Sequence, residues 1–305
     1  MSSETSLQAP SQARITAGFW LGMLGVAVFA MTLPATRLAT GSAADPQLSP
    51  LFLTLGRAAL AGLASALYLL ITRAPWPTAE QSRSLLLAVA GNVIGYPLLL
   101  AWALREVTAS HAAVITALLP LATAAIAAWS LGQRARPAFW VCASLGALAA
   151  LGYALLREWQ LSGSVGLSSA DAWLAAAVVA ASVGYVYGAR VTPQLGAERV
   201  ICWVCVFALP LTLPAAWWLW PEQAVRSSSW AAFVYVGLFS MWIGFFAWYR
   251  GLAWGGALRV SQTQLLQPFL SMLFAWPLLG EPLDAQALGF ALAVVATVFL
   301  SRKLA

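Results

Sequence analysis

Charge is what this sequence has least of. Charged residues make up 9% of its 305 positions, against about 25% in a soluble domain. Hydrophobic residues make up 61%, and the mean hydropathy is +0.81. No soluble core hides that much apolar surface, so the chain reads as an integral membrane protein. Lysine is almost absent, and the cations stand singly between apolar runs. The net charge of +6 and pI near 9.7 therefore do not indicate a nucleic-acid partner, which requires a basic patch. Cysteine is equally sparse. Cys202 and Cys205 form a C-x-x-C inside an apolar run without a nearby His or carboxylate, and Cys142 lies in another span. Neither a disulfide, a metal site nor a cofactor is expected from them.

Acids are missing from the places where chemistry in a membrane needs them. Glu106, Glu158, Asp171, Glu198, Glu281 and Asp284 all fall at span ends. The single histidine, His111, begins a span and reads as a solvated interfacial residue. A membrane-embedded enzyme needs a convergent acid, base, nucleophile or metal set, so no enzyme is expected. A proton-coupled carrier usually keeps an intramembrane carboxylate, and its absence points to a facilitator.

What is present is a series of apolar runs near the length of about 20 residues that crosses a bilayer. After a polar tail at 1–17, retained rather than cleaved as a leader, spans are expected at 18–38, 51–71, 85–104, 109–131 and 137–156. A Gly/Ser linker at 157–170 separates these from spans at 171–190, 199–220, 230–250, 260–283 and 284–301, with a short terminus at 302–305. The expected fold is all-α: ten transmembrane helices in two five-helix repeats. With the N-terminus cytoplasmic, inner segments hold eleven cations and outer segments four, which supports both termini inside. The lipid bilayer is one partner; monomer and homodimer both stay open, since small-residue faces such as Ala143, Gly146, Ala147 and Ala150 pack either way.

The ninth span is the most unusual. It carries Gln262, Gln264 and Gln267 and a central Pro268. Polar groups in hydrocarbon are costly unless they face protein or a water-filled cavity. At 3.6 residues per turn Gln264, Gln267, Pro268 and Ser271 share a face, which reads as the wall of a polar path. A shift of 148 residues superimposes the fourth span on the ninth: Pro120 on Pro268, Thr116 on Gln264, Thr123 on Ser271, and Leu131-Gly132 on Leu279-Gly280. An odd number of spans per half makes the halves insert in opposite directions, an architecture that places a solute site at the repeat interface. Pro34, Pro120 and Pro268 are candidate kinks.

Further cavity candidates are Asn92 with Tyr96 and Ser182 with Tyr185, each pair about one turn apart, together with Ser240, Thr32 and Thr36 flanking Pro34, and Trp102. Trp242 and Trp248 either stack on an aromatic solute or face lipid. Arg57, a cation well inside a span, is expected to snorkel or pair structurally before it binds a carboxylate.

The late-span proline, Leu-Gly-Gln-Arg at 131–134, Leu-Gly-Glu-Pro at 279–282, Arg57 and the Gln267-Pro268 pair resemble the drug/metabolite transporter superfamily. The resemblance is to its ten-helix exporters with two EamA-type repeats, and within them to aromatic amino acid exporters. Gln133 stands where the second half keeps Glu281, a departure from the pattern. The resemblance implies that spans one, three, four, six, eight and nine surround a central cavity, with five and ten at the periphery. It also implies a small-molecule solute, an amino acid or similar metabolite, exported through a bacterial inner membrane. The alternative within the superfamily is efflux of lipophilic drugs, which favours a carboxylate in the cavity.

Overall fold

Among the residues that the computed structural model describes, 12–130, 137–163, 167–255, 260 and 262–304, the chain is all-α. Ten helical spans follow one another: α1 (Gln12–Thr40), α2 (Pro50–Ile71), α3 (Ala79–Glu106), α4 (Ala109–Ser130), α5 (Pro137–Ser162), α6 (Ser169–Leu195), α7 (Ala197–Trp218), α8 (227–255), α9 (262–279) and α10 (Ala285–Leu304). Seven of these are long and apolar enough to cross a membrane, and α5 and α10 contain the shorter apolar stretches Trp140–Leu156 and Ala285–Thr297. The protein is an all-α polytopic membrane protein.

Local chemistry sets the helix ends. Thr78 and Gln81 form a reciprocal capping box that starts α3, and Ser168 and Asp171 form another that starts α6. Such pairs satisfy two orphan backbone donors at once. Ser49 caps α2 by accepting from the Phe52 amide, with Pro50 at the first helical position. Gly280 ends α9 in the left-handed conformation with φ 68°. The capping box at Thr78 carries α3 back beyond the expected start at 85. At the other side of the repeat boundary α5 runs on to Ser162, so part of the expected linker at 157–170 is helical.

The contacts reveal the duplication. α1 packs on α8 and α3 packs on α6; α2 packs on α7, α4 on α9, and α5 on α10. Under exchange of the two halves, the first two pairs interchange and the last three map onto themselves. This is the pairing that inverted-repeat symmetry requires. α5 and α10 present exposed leucines and valines outward, among them Val141, Leu145, Leu148 and Leu292, which marks them as lipid-facing.

Two features were not legible in the apolar pattern. Val89–Gly95 in α3 and Tyr235–Ile243 in α8 are π-helical. They occupy matched positions, since Asn92 and Ser240 are related by the same 148-residue shift. A π segment widens the helix locally and often marks a functional region. At the first of them α3 meets α6 with almost no clearance: a Cβ on Gly91 would lie 2.7 Å from the Gly184 nitrogen and closer still to the Ala180 carbonyl oxygen.

Gly91→Leu is therefore expected to lower the unfolding midpoint of the detergent-solubilised protein, at a cost of about 1–3 kcal/mol for overpacking. Gly289→Leu, where an added Cβ meets nothing within 4 Å, is expected to leave the midpoint unchanged. Equal midpoints for both variants contradict the close α3–α6 approach.

Candidate functional site

Three interruptions of the helical ladder lie around one cavity. Proline has no amide hydrogen, so the carbonyl four residues earlier loses its donor. Pro34 does this to Ala30, and α1 turns at Met31. Ser271 Oγ, from α9, donates to the Ala30 carbonyl at 2.8 Å. A residue of the second half thus repairs the break in the first. Pro120 follows a turn that divides α4 into Ala109–Thr116 and Leu119–Ser130. Pro268 opens the α-helical part of α9, Gln267–Leu279, after the 3-10 turn Gln262–Leu266. Four residues before Pro120 and Pro268 stand Thr116 and Gln264, the pair that the repeat superimposes, and Pro268 occupies the first turn of its helix, where a missing amide hydrogen costs least.

The cavity has a volume of about 260 Å³. α4 contributes Thr116, Pro120 and Thr123, and α9 contributes Gln264, Gln267, Pro268 and Ser271. Tyr96 of α3 and Tyr185 of α6 add phenol-bearing walls, while Leu33, Ala117, Leu119, Leu265, Ala127 and Val295 supply apolar surface. No charged side chain is among these lining residues. Such a surface offers neutral donors and acceptors beside apolar wall, which suits a solute that must be held weakly enough to leave. Thr116 also donates back to the Ala112 carbonyl at 2.8 Å, so its hydroxyl is partly engaged by its own helix.

Other residues expected on the cavity lie elsewhere. Ser182 is fully buried and accepts from Thr123 at 3.2 Å. Asn92 packs against Gly184, where the missing side chain leaves room for its amide. Thr32 and Ser240 share a buried hydrogen bond of 2.8 Å between α1 and α8, and the Thr36 hydroxyl is buried without a partner. These side chains are spent on helix packing. Trp102 pairs with Trp173, ring centroids 6.0 Å apart, and is exposed. Among the described residues none of α8 lines the cavity, whereas α10, expected at the periphery, contributes Val295. Gln133, with the rest of 131–134, lies outside the described residues, as does the side chain of Gln262.

One reading of a single residue is corrected, and one is narrowed. His111 is buried, not solvated: Nε2 lies 2.7 Å from Asp171 Oδ1. Asp171 also accepts from the Ser168 amide at 3.0 Å and hydroxyl at 2.8 Å. Of the two structural expectations for Arg57, snorkelling and pairing, the structure shows the second: it is 4% exposed and donates from Nη2 to Ser240 Oγ at 3.2 Å.

At the same end of the bundle as His111 stands a clasp that the sequence reading missed. Arg37 Nε of α1 lies 3.4 Å from Glu281 Oε1, just past α9. Arg37 Nη1 donates to the Leu104 carbonyl at 2.6 Å and to the Val107 carbonyl at the end of α3. Glu281, 9% exposed, accepts from the amides of Ala109 at 2.9 Å and Ser110 at 3.2 Å. A carboxylate at a helix N-terminus satisfies orphan donors and complements the helix dipole. One carboxylate therefore joins α1, α4 and the α9–α10 turn. The signal for it was Glu281 in Leu-Gly-Glu-Pro, which served only as a motif letter. At the opposite end the ion pairs Arg250–Glu198, at 2.6 Å, and Arg190–Glu80, at 3.9 Å, join more exposed side chains.

Glu281→Ala leaves two buried amides without their acceptor and Arg37 without its counter-charge, and is expected to lower stability by about 1–3 kcal/mol. Glu281→Gln, which keeps one acceptor oxygen, is expected to lose less. Thermal unfolding in detergent measures both, and an unchanged midpoint for Glu281→Ala contradicts the clasp.

Comparison with known proteins places the chain. The EamA-like transporter family model matches residues 16–155 and again 168–302. A protein described as an uncharacterized transporter, YdeK of Bacillus subtilis (strain 168), is 42% identical over 294 residues, covering 96% of this chain and 99% of its own. A probable terminal-alkyne amino-acid exporter of Streptantibioticus cattleyicolor is 28% identical over 297 residues, covering 95% of each. A solved crystal structure, 22% identical, shares the fold with a TM-score of 0.63 over 95% of this chain and 98% of that one. Among the described residues no three His, Cys, Asp or Glu side chains converge to hold a metal ion. With the duplicated match, the paired broken helices and the cavity between them, the chain belongs to the EamA-like transporter family of the drug/metabolite transporter superfamily.

Proposed function

We propose that the protein exports amino acids, aromatic or other apolar ones, and related metabolites across a bacterial inner membrane. The carrying observation is the convergence of Gln264, Gln267, Thr116, Thr123, Tyr96 and Tyr185 on one uncharged cavity between the broken helices α4 and α9. Its 260 Å³ falls just below the roughly 300–1,000 Å³ of drug-sized pockets, which favours a small metabolite. The amide and phenol groups fix a polar head, and Leu33, Leu119 and Leu265 accept an apolar side chain. The relative from Streptantibioticus, named as a probable amino-acid exporter, supports the same class. Lipophilic-cation efflux finds no carboxylate among the described residues of this wall to balance its substrate's charge.

The mechanism we infer is alternating access without proton coupling. The halves, 18–156 and 171–301, rock about the matched prolines. With both termini cytoplasmic, as the cation bias supports, the Arg37–Glu281 clasp closes the outer end. The more exposed pairs at the other end then face the cytoplasm, so this conformation takes up its solute from inside. Among the described lining residues there is no carboxylate to carry a proton, and the solute runs down its own gradient.

Counterflow in proteoliposomes tests this. With vesicles preloaded with unlabelled phenylalanine, labelled phenylalanine is expected to accumulate transiently without any ion gradient, and Gln264→Ala is expected to reduce the peak at least about tenfold, the effect of losing roughly 1.4 kcal/mol of binding. Absence of counterflow with amino acids, together with uptake of lipophilic cations under an imposed proton gradient, contradicts both the substrate and the facilitator mechanism.

A further inference from the structure

Arg57 stands in the middle of a pair of packed helices with its charge uncompensated. It is 4% exposed. Its one hydrogen bond is the Nη2 contact to Ser240 at 3.2 Å, and its Nε is buried without a partner. Among the described residues the ion pairs lie at the helix ends, where Glu281, Asp171, Asp45, Glu198 and Glu80 meet Arg37, His111, Arg226, Arg250 and Arg190. None of them reaches Arg57.

A buried guanidinium in a membrane is costly and is normally paired. Packing does not account for it. The 148-residue shift carries Arg57 on α2 to Cys205 on α7. Cys205 is likewise fully buried, so the equivalent place in the second half is filled by a small uncharged side chain. The surroundings differ in the same way. Around Arg57 the matched π segment offers Ser240, bonded to Thr32; around Cys205 it offers Asn92, packed on Gly184. The charge belongs to one half only.

Arg57 lies behind the cavity wall. Its helix α2 packs against the part of α3 that carries Tyr96, which lines the cavity. Through Ser240 it is joined to Thr32, whose chain neighbour Leu33 also lines it. Where the intervening medium is protein rather than water, a fixed charge acts across several ångströms, and none of the described lining residues carries a charge to oppose it.

We propose that Arg57 is the fixed counter-charge for a carboxylate on the solute, so that the cavity selects carboxylate-bearing molecules over their neutral or cationic analogues. This rests on the cavity being the solute site, and it narrows the substrate class. It assigns Arg57 to specificity by its field and does not require direct contact in this conformation.

The test compares phenylpropanoate with phenylpropanamide, which differ only in the charged group, by quenching of intrinsic tryptophan fluorescence in the full-length protein. The wild type is expected to bind the carboxylate at least roughly tenfold more tightly, a modest share of the attraction between unit charges in a low-dielectric setting. Arg57→Gln is expected to bring the ratio close to one, and Arg57→Lys to retain the preference. Ser240→Asp leaves the guanidinium in place and supplies the missing acid beside it, so it is expected to abolish the preference even where Arg57→Gln fails to fold. A wild-type protein that binds neither compound, or both alike, overturns the proposal, as does a preference that survives Ser240→Asp. Carboxylate preference without phenylalanine counterflow sinks the amino-acid reading and leaves Arg57 standing. Counterflow with a ratio near one sinks the Arg57 proposal alone.

Discussion

In a bilayer every backbone hydrogen bond must be satisfied within the protein, and this chain leaves gaps at Pro34, Pro120 and Pro268. The cavity forms where these gaps meet. Pro34 withdraws a donor from the Ala30 carbonyl, Pro120 and Pro268 stand where α4 and α9 restart after a turn, and such breaks are tolerated where they face the interior of the bundle rather than lipid. The break at Pro34 is closed by Ser271 from the other half. Those at Pro120 and Pro268 lie beside Thr116 and Gln264, which line the cavity. The same constraint that forbids irregular backbone in lipid thereby concentrates polar groups at the repeat interface.

The two halves share a plan but differ in charge. Their helices pair as inverted repeats, and π segments fall at matched places in α3 and α8. Yet the buried cation Arg57 has Cys205 as its counterpart, and Glu281 has Gln133. A symmetric bundle gives two equivalent closures; charge placed in one half makes them unequal. The clasp on Arg37 and Glu281, with the buried His111–Asp171 pair near it, holds one end together through buried contacts. The opposite end relies on ion pairs such as Arg190–Glu80, both exposed, and Arg250–Glu198, whose arginine is about half exposed. Such exposed pairs contribute little.

Much of the fold was legible because lipid leaves few options. Apolar run length gave the spans, and an odd count per half gave their inversion. Proline and amide placement marked α4 and α9. The site was legible only in part. Gln264, Gln267, Ser271, Thr116, Thr123, Tyr96 and Tyr185 reach the cavity, but Asn92, Ser182, Ser240, Thr32 and Thr36 are used between helices. A polar side chain in a span looks the same in sequence whether it faces solute or a neighbouring helix. The π segments alter which residue faces which partner, and periodicity at 3.6 residues per turn does not register them. His111 was misread, and the role of Glu281 was missed, for a related reason: the partners that bury an end-of-span residue, here Asp171 and the α4 N-terminus, are not visible along the chain.

The central claim is that the two ends of the cavity open reciprocally around the broken helices α4 and α9. Spin labels on one pair of positions near Arg37 and Glu281, and on another near Arg190 and Glu80, measure both ends by pulsed dipolar spectroscopy in lipid nanodiscs. Across a titration of transported solute, the account predicts that the distance distribution lengthens at the Arg37 end as it shortens at the Arg190 end. Distances that rise and fall together, or that stay fixed at both ends while solute is bound, contradict it.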